Sequence, residues 1–267
     1  MPISLPPCED SKRSSLNPFE FLGEHRNKES SSQDEIERIR ATRELIPAEV
    51  KSVLDVGCGD GRIIRALSSS YKTVGVDYAF SSIAQVEAKR IQGSSGSLPF
   101  RSNSFDLVLC CEVLEHLEDK LFLDTVSELM RVSRQYILIS VPYRENLRRL
   151  LTKCPKCKHI FHIWGHCRSF SESKLDSVFT PLCSVSARFS GKRPPYFNPM
   201  VLWLNQTIGN RWAEFAPTTM CPECRNTRFQ KTNRNVMTVA CALAHSITNS
   251  FPVSSKNWII KLYAHHE

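Results

Sequence analysis

Residues 53–61 read VLDVGCGDG, an apolar run that passes through one acid into the alternating glycines Gly57, Gly59 and Gly61. The apolar run predicts a β-strand, and a helix is expected from about Arg62. Glycines between a strand and a helix permit a tight turn, and they let a ligand lie against bare backbone amides beside the helix N-terminus. An ordinary tight turn also contains glycines, so the interpretation depends on what surrounds this one.

Strand and helix patterns alternate on both sides of the turn. Ser32 and Glu35 have capping-box spacing ahead of an amphipathic helix. Short apolar runs typical of buried parallel strands follow at 52–56, 72–77, 105–111 and 135–141, with helical stretches between them. A helix capped by Ser171 and strands at 183–190 and 257–265 come later. This alternation predicts an α/β fold with a doubly wound, mostly parallel sheet.

Two stretches interrupt the alternation and divide the chain. The predicted parts are a flexible polar tail at 1–33, a core at 34–142 that is completed by about 167–192 and 256–267, and a cap formed by 143–166 and 193–255. Within the second insert, residues 200–215 have a helical pattern with Leu204, Ile208 and Trp212 on one face. Core packing of the cap is the favoured interpretation of that face.

Charge is divided unevenly along the chain. Residues 1–142 contain 17 Lys and Arg against 21 Asp and Glu, whereas residues 143–267 contain 18 against 6. The basic half favours an anionic partner, although a solvated basic surface would have the same composition. The sequence has no pattern of a secretory signal peptide and no apolar run of the length that a membrane span needs. We therefore expect a cytoplasmic protein without a membrane span.

Two further motifs accompany the glycine turn. Asp77 ends the strand VGVD, 22 residues after Asp55, and the segment 93–100 reads GSSGSLPF ahead of the strand FDLVLCC. Together these motifs resemble the class I S-adenosylmethionine-dependent methyltransferases, in particular the type 11 group that contains the ubiquinone-pathway O-methyltransferases. The resemblance covers roughly residues 34–142 and the helix near Ser171. It implies a seven-stranded Rossmann-like sheet and S-adenosylmethionine as cofactor.

The resemblance also implies roles for single residues. Asp55 and the glycines would hold the methionine moiety, Asp77 the ribose, and Leu98 the adenine. The full set implied at the cofactor is Asp55, Gly57, Cys58, Gly59, Gly61, Asp77, Ser94, Leu98 and Cys111. Ser94 departs from the family pattern, in which an acid often stands at this position to accept the adenine amino group.

Methyl transfer needs an aligned acceptor more than it needs strong catalytic groups. Candidates for the acceptor site are Glu112, Glu115 and His116, which would cluster at i, i+3 and i+4 where a helix starts after FDLVLCC, together with His166. Their pattern is similar to that of the small-RNA 3′-terminal 2′-O-methyltransferases, which implies a divalent ion such as Mn²⁺, Fe²⁺ or Mg²⁺. Similar segments occur in many relatives without a metal. In that case His116 or His166 would be the base.

Cysteines form two CPxC pairs, Cys154 with Cys157 and Cys221 with Cys224, separated by 63 residues. Four thiolates at this pair spacing predict a structural tetrahedral Zn²⁺ site, provided that the fold brings the pairs together. If the strand order of the methyltransferases that the chain resembles holds here, both inserts leave from the carboxyl ends of parallel strands, which favours one cap held by a shared zinc. A rival site would use the first pair with His162 and His166.

The sequence predicts an S-adenosylmethionine-dependent methyltransferase that methylates a hydroxyl on an anionic acceptor, either a sugar or glycan or a small metabolite. Methylation of an RNA ribose 2′-hydroxyl is the alternative acceptor reaction. The alternative of another class is a non-catalytic, zinc-containing binding module on a methyltransferase frame. Ser94 favours that module, whereas the intact glycine turn and Asp77 oppose it.

Overall fold

The computed structural model describes residues 32–192, 198–215, 219–229, 236, 238–240 and 256–266. Almost all of the tail predicted for residues 1–33 lies outside these ranges, as does much of the second insert. None of the helices in the described ranges has the length and hydrophobicity to cross a membrane.

A seven-stranded sheet forms the centre of the molecule, with the strand order β3-β2-β1-β4-β5-β9-β8. Its strands are β1 Ser52–Val56, β2 Lys72–Asp77, β3 Lys89–Gln92, β4 Phe105–Cys111, β5 Ser133–Pro142, β8 Cys183–Lys192 and β9 Lys256–Ala264. Strands β1 to β5 pair in parallel, and β9 runs antiparallel to both of its neighbours. The sequence prediction of a doubly wound, mostly parallel sheet is therefore confirmed.

In the described ranges, the helices beside the sheet are α1 Gln33–Glu44, α2 Arg62–Leu67, α3 Phe80–Ile83, α4 Asp119–Val132 and α5 Glu172–Val178, and helix α6 Pro199–Thr207 lies in the second insert. Two of these helices begin directly after the serines that were predicted to be their N-cap residues. The Ser32 hydroxyl accepts a hydrogen bond from the Glu35 amide at 3.2 Å, and the Ser171 hydroxyl accepts one from the Lys174 amide at 3.2 Å. Each bond satisfies an amide that the first helical turn leaves without a partner.

The hydrophobic core lies on both faces of the sheet, which explains why the central strands are apolar at every position. On β4, Val108 faces a cluster that includes Phe122 and Leu129 of α4. Leu107 faces the opposite side, where Leu67 of α2 packs. The two layers hold the carboxyl ends of β1, β2 and β4 at one rigid edge.

The two inserts leave from the carboxyl ends of β5 and β8, as expected from their place in the chain. We use "cap" for the described residues 143–166, 198–215 and 219–229. The cap contains a small antiparallel hairpin, β6 Leu151–Lys153 and β7 Ile160–His162. The Ala213 amide donates to the Leu151 carbonyl oxygen at 3.0 Å, so the two inserts contact each other directly.

Helix α6 is shorter than its sequence pattern suggests. It ends at Thr207, and the amides of Ile208 and Gly209 both donate to the Leu204 carbonyl oxygen at 3.0 Å. A Cβ at Gly209 would lie 2.8 Å from the Asn205 carbonyl oxygen, so the tight turn there depends on glycine. The prediction that Leu204, Ile208 and Trp212 share one helical face is therefore wrong.

Candidate active site

The glycine turn after β1 has three left-handed residues, with φ values of 76° at Gly57, 54° at Gly59 and 77° at Gly61. Different neighbours surround them. A Cβ at Gly57 would lie 2.2 Å from Cγ2 of Val113, whereas a Cβ at Gly59 would have no described atom within 4 Å. The first glycine is thus required by packing inside the protein. Gly59 borders open space above the turn, where a ligand has access to the backbone.

Asp77 holds this turn in place from the end of β2. Its Oδ2 accepts a hydrogen bond from the Gly59 amide at 2.8 Å, and its Oδ1 accepts one from the Ala79 amide at 2.8 Å. Each carboxylate oxygen has two lone pairs, so both oxygens remain able to accept from a ligand hydroxyl.

Two buried charged residues lie close to the turn. Asp55 is 2% exposed and Arg38, from α1, is 6% exposed. Burial raises the pKa of Asp55 to about 7, with a further increase from the Asp77 charge, and the Arg38 charge opposes this shift. Among the described residues, Oδ2 of Asp55 and Nε of Arg38 have no hydrogen-bond partner. A buried acid and a buried base that each keep an unpaired polar atom suit a zwitterionic ligand.

Arg38 was not predicted as a site residue, although its spacing from Thr42 and Leu45 places the three residues on one face of a helix. Ile36, an apolar residue that an amphipathic helix would be expected to bury, is 50% exposed. The buried face of this helix instead comprises Arg38, Thr42 and Leu45, at i, i+4 and i+7. A buried arginine on such a face is unusual enough to indicate an anionic partner.

The remaining residues implied at the cofactor lie around the same edge of the sheet. Ser94 Oγ accepts from the Gly96 amide at 3.2 Å, and the Leu98 amide donates to Glu128 at 2.6 Å. Leu98 is buried in the core. Two buried cysteines complete the set, Cys58 packed among apolar side chains beside the turn and Cys111 at the end of β4.

Three of the four candidates for the acceptor site come together. Glu115, His116 and His166 each offer a ligand atom, and these atoms lie within 4.8 Å of one another. Glu115 and His116 lie on a short 3₁₀ helix, Leu114–His116. The loop that carries His166 is held against this helix by the Cys167 amide, which donates to the Glu115 carbonyl oxygen at 2.7 Å.

Glu112 lies outside that group of three. Its φ of 58° is left-handed, and its Oε2 accepts from the Trp258 indole at 2.7 Å. Its Oε1 lies 3.8 Å from a guanidinium nitrogen of Arg38. The predicted i, i+3 and i+4 spacing assumed a continuous helix from Glu112, but the chain forms a left-handed residue followed by one 3₁₀ turn. Helical spacing therefore does not apply to Glu112.

Glu115 is fully buried, and neither carboxylate oxygen receives a hydrogen bond from another residue in the described ranges. Burial raises the pKa of Glu115 well above its usual value, and the Glu112 charge raises it further. A carboxyl group in this environment is neutral unless a cation lies beside it. Its two carboxylate oxygens therefore need a cation or a hydrogen-bond donor at this site.

Glu145 and His162 also belong to this region, and the sequence analysis assigned neither residue to the acceptor site. Together with His166 they form a second group whose ligand atoms lie within 4.8 Å of one another. Burial opposes ionisation of Glu145, but hydrogen bonds and charges from His162 and His166 lower its pKa to about 2. The acidic residue after the end of β5 and the i, i+4 histidine pair in HIWGH were the available signals.

The four cysteines of the two CPxC pairs lie together in the cap. Sγ atoms of Cys154 and Cys224 are 3.6 Å apart, as are those of Cys157 and Cys221, and all four lie within 4.8 Å of one another. The rival set is not brought together, because His162 and His166 group with Glu145 instead.

Both cysteine pairs form the same backbone turn. The Lys158 amide donates to the Cys154 carbonyl oxygen at 3.0 Å, and the Arg225 amide donates to that of Cys221 at 3.0 Å. Burial raises the pKa of the Cys157 and Cys221 thiols. At Cys154, burial is outweighed by backbone amides and the neighbouring thiols of Cys224 and Cys157, which lower the pKa to about 7. One thiol of the cluster thus ionises near neutral pH, which suits metal binding.

Comparison with known proteins agrees with this geometry. Residues 54–136 match a family described as a methyltransferase domain. The ubiquinone biosynthesis O-methyltransferase of Paracidovorax citrulli is 32% identical over 87 residues, which are 28% of this chain and 37% of that protein. The chain spans about a third of the length of the curated relatives that it matches.

Solved methyltransferases share the fold of nearly the whole chain. One belongs to a complex between the Haloferax volcanii Trm112 methyltransferase activator and a putative methyltransferase (TM-score 0.56, 14% identity, 95% of this chain and 100% of that chain). Another is the N-methyltransferase NodS of Bradyrhizobium japonicum with S-adenosyl-l-homocysteine (TM-score 0.55, 12% identity, 89% and 90%). These similarities show a shared fold that covers more of the chain than residues 54–136.

Proposed function

We propose that the protein is an S-adenosylmethionine-dependent methyltransferase that methylates a hydroxyl group on an anionic acceptor. The observation that carries the cofactor is that buried Asp55 and buried Arg38 each keep one polar atom without a described hydrogen-bond partner, near the open space at Gly59. The ammonium of the methionine moiety would pair with Asp55, and its carboxylate with Arg38. Oδ2 of Asp55 and Nε of Arg38 would then gain partners.

The other proposed cofactor contacts are made by residues at the same edge of the sheet. Asp77 is placed to accept hydrogen bonds from the ribose hydroxyls while it holds the Gly59 amide. Leu98 and Ser94 are proposed for the adenine side, where Ser94 replaces the usual acid with a neutral oxygen. Gly57, Gly61, Cys58 and Cys111 shape the site through packing.

Transfer to a hydroxyl requires little chemistry from the protein. A C–O bond forms between the acceptor oxygen and the methyl carbon, while the C–S bond breaks and its electron pair stays on sulfur. The hydroxyl proton passes to a nearby base, and His116 and His166 are the candidates among the described residues near the site. Positioning of the acceptor in line with the C–S bond supplies most of the rate.

Glu115, His116 and His166 also fit a divalent ion, because mixed carboxylate and imidazole donors suit Mn²⁺ or Fe²⁺ better than Mg²⁺. The fit is supported by Glu115, whose buried oxygens have no other described donor. Such an ion would lower the pKa of the acceptor hydroxyl and orient it. Glu112 is proposed as a supporting residue of this site, since its oxygens are already held by Trp258 and Arg38.

A structural Zn²⁺ is proposed for Cys154, Cys157, Cys221 and Cys224. All-cysteine tetrahedral sites are closed and structural rather than catalytic. Because each insert supplies two of the thiolates, the ion would cross-link the two inserts beside the acceptor site.

The anionic acceptor is supported by the charge of the cap. Exposed basic side chains on the described cap are Arg144, Lys156, Lys158, Arg211 and Arg228. A phosphorylated or nucleotide-linked sugar fits these charges, and an RNA end is the alternative.

The test is transfer of a tritiated methyl group from S-adenosylmethionine to pooled cell extracts, with and without prior nuclease treatment. Incorporation that survives nuclease supports a glycan or metabolite acceptor, and incorporation that nuclease abolishes supports the RNA alternative. Calorimetric titration with S-adenosylmethionine separates both from a non-catalytic module. Absence of cofactor binding would contradict the proposal.

A further inference from the structure

The cap segment His162–His166 places two imidazoles on top of each other. Gly165 is left-handed, with a φ of 72°, and its amide donates to the His162 carbonyl oxygen at 2.9 Å. This tight turn stacks the rings of His162 and His166 with their centroids 4.7 Å apart. His116 approaches the other side of His166 edge-on, also with a centroid distance of 4.7 Å.

Hydrogen bonds fix which nitrogen of His162 carries the proton. Its Nδ1 accepts from the backbone amides of Trp164 at 3.3 Å and His166 at 3.2 Å. Backbone amides only donate, so Nδ1 is unprotonated. The proton of neutral His162 therefore lies on Nε2, which is 3.6 Å from Oε1 of Glu145.

The opposite tautomer follows for His166. Its Nδ1 lies 2.5 Å from Oε2 of Glu145. The two oxygens of Glu145 lie beside the imidazoles of His166 and His162, and a carboxyl group placed between two such bases is ionised at neutral pH. An ionised carboxylate only accepts, so the proton between the two groups belongs to Nδ1 of His166. The lone pair of His166 is then on Nε2.

We infer that Glu145 is a positioning residue that fixes His166 as the Nδ1-protonated tautomer and so leaves its Nε2 lone pair available in the site that His166 shares with Glu115 and His116. His162 supports Glu145 from the other side. A carboxylate behind an imidazole orients the ring and raises its basicity, whether the imidazole binds a metal or takes a proton. The inference rests on the proposed function only in the role of His166, which is to bind a metal or accept the acceptor's proton. The two tautomers themselves require neither cofactor nor acceptor.

The experiment is two-bond ¹H–¹⁵N correlation NMR of the histidines in the zinc-loaded, full-length protein, with His166 and His162 assigned from the His166→Gln and His162→Gln variants. The expected spectrum shows neutral His166 protonated at Nδ1 and neutral His162 protonated at Nε2. A wild-type His166 protonated at Nε2 would overturn the inference without any need for a Glu145 variant.

Two variants of Glu145 separate positioning from simple packing. Glu145→Gln retains an oxygen acceptor and should keep the His166 tautomer, whereas Glu145→Leu removes the acceptor and should shift His166 toward protonation at Nε2. Methyl transfer to the active extract fraction should fall about 10- to 100-fold in the Leu variant and by only a few-fold in the Gln variant. His159→Gln, in the same cap, is the control for a histidine outside this cluster.

The same measurements separate failure of the Glu145 inference from failure of the proposed function. The expected tautomers in a protein that transfers no methyl group would support the role of Glu145 and contradict the methyltransferase proposal. An unchanged His166 tautomer in a folded, zinc-loaded Glu145→Leu variant would overturn the inference even if methyl transfer were normal.

Discussion

The indole nitrogen of Trp258 donates a 2.7 Å hydrogen bond to Oε2 of Glu112, and so connects the last strand of the sheet to the end of β4. The two residues are 146 positions apart. Arg38 adds a third element, since its guanidinium lies 3.8 Å from Oε1 of Glu112 and 5.8 Å from the centre of the Trp258 ring. Helix α1, β4 and β9 thus meet at the edge where the candidate site lies.

Removal of this indole donor should destabilise the protein. In Trp258→Phe, the partly buried Glu112 loses a hydrogen bond to a charged group, which contributes about 1.5–3 kcal/mol. Urea denaturation followed by circular dichroism would measure the change. Trp203→Phe, at a more exposed tryptophan of α6, is the matched control. Equal stability of the two variants would show that the bond to Glu112 contributes nothing.

The core could be predicted from sequence because its signals are local. Apolar runs such as 105–111 are buried at every residue, and Ser32 and Ser171 cap helices as their spacing indicates. Glu112 shows the limit of such reasoning. Its position was judged by helical spacing, but a left-handed backbone and a partner 146 residues away decide where its side chain points.

The glycines of the turn should respond differently to substitution by alanine. Gly57→Ala should destabilise the fold, because its Cβ would overlap Val113 at 2.2 Å. Gly59→Ala meets no described atom, so it should lose only the roughly 1–2 kcal/mol of a left-handed alanine while it weakens cofactor binding at least tenfold. Thermal melts and calorimetric titration with S-adenosylmethionine would measure the two effects. Normal affinity in Gly59→Ala would contradict a cofactor at this turn.

Cofactor binding should release a proton through Asp55. Its pKa of about 7 in the free protein means that it is mostly protonated at pH 6, whereas pairing with the ligand ammonium requires the carboxylate. The affinity for S-adenosylmethionine should therefore rise from pH 5.5 to 7.5. Calorimetry at pH 6 in buffers of different ionisation enthalpy should show release of close to one proton. Asp55→Asn should bind weakly and without that release, and an identical proton count in the variant would exclude Asp55 as the source.

The grouping of Glu145 with His162 and His166 could not be predicted from local pattern. Glu145 follows β5, His162 ends β7 and His166 comes after it, so their approach depends on how the cap hairpin returns to the sheet. The cysteine pairs were easier, because the topology of parallel strands places both inserts at one edge before any side chain is considered.

Zinc should depend equally on both inserts. The purified protein is expected to contain about one zinc per chain, and Cys154→Ser and Cys221→Ser should each remove it. Cys183→Ser is the control, since this exposed cysteine lies on β8, outside the cluster. Elemental analysis by mass spectrometry would measure the content. Full zinc in the Cys221 variant would contradict a shared site and favour ligands from the first insert alone.

Glu115→Gln tests whether an ion acts at the acceptor site. Burial keeps the pKa of Glu115 well above its usual value, so glutamine resembles the neutral acid and should leave stability, zinc content and cofactor affinity unchanged. If Glu115 binds Mn²⁺ together with His116 and His166, the variant should lose methyl transfer, whereas the wild type should gain activity on addition of Mn²⁺. Glu87→Gln, at an exposed carboxylate, is the control. Normal turnover of Glu115→Gln without added metal would show that no ion is needed, and a histidine base with alignment of the acceptor would then carry the reaction.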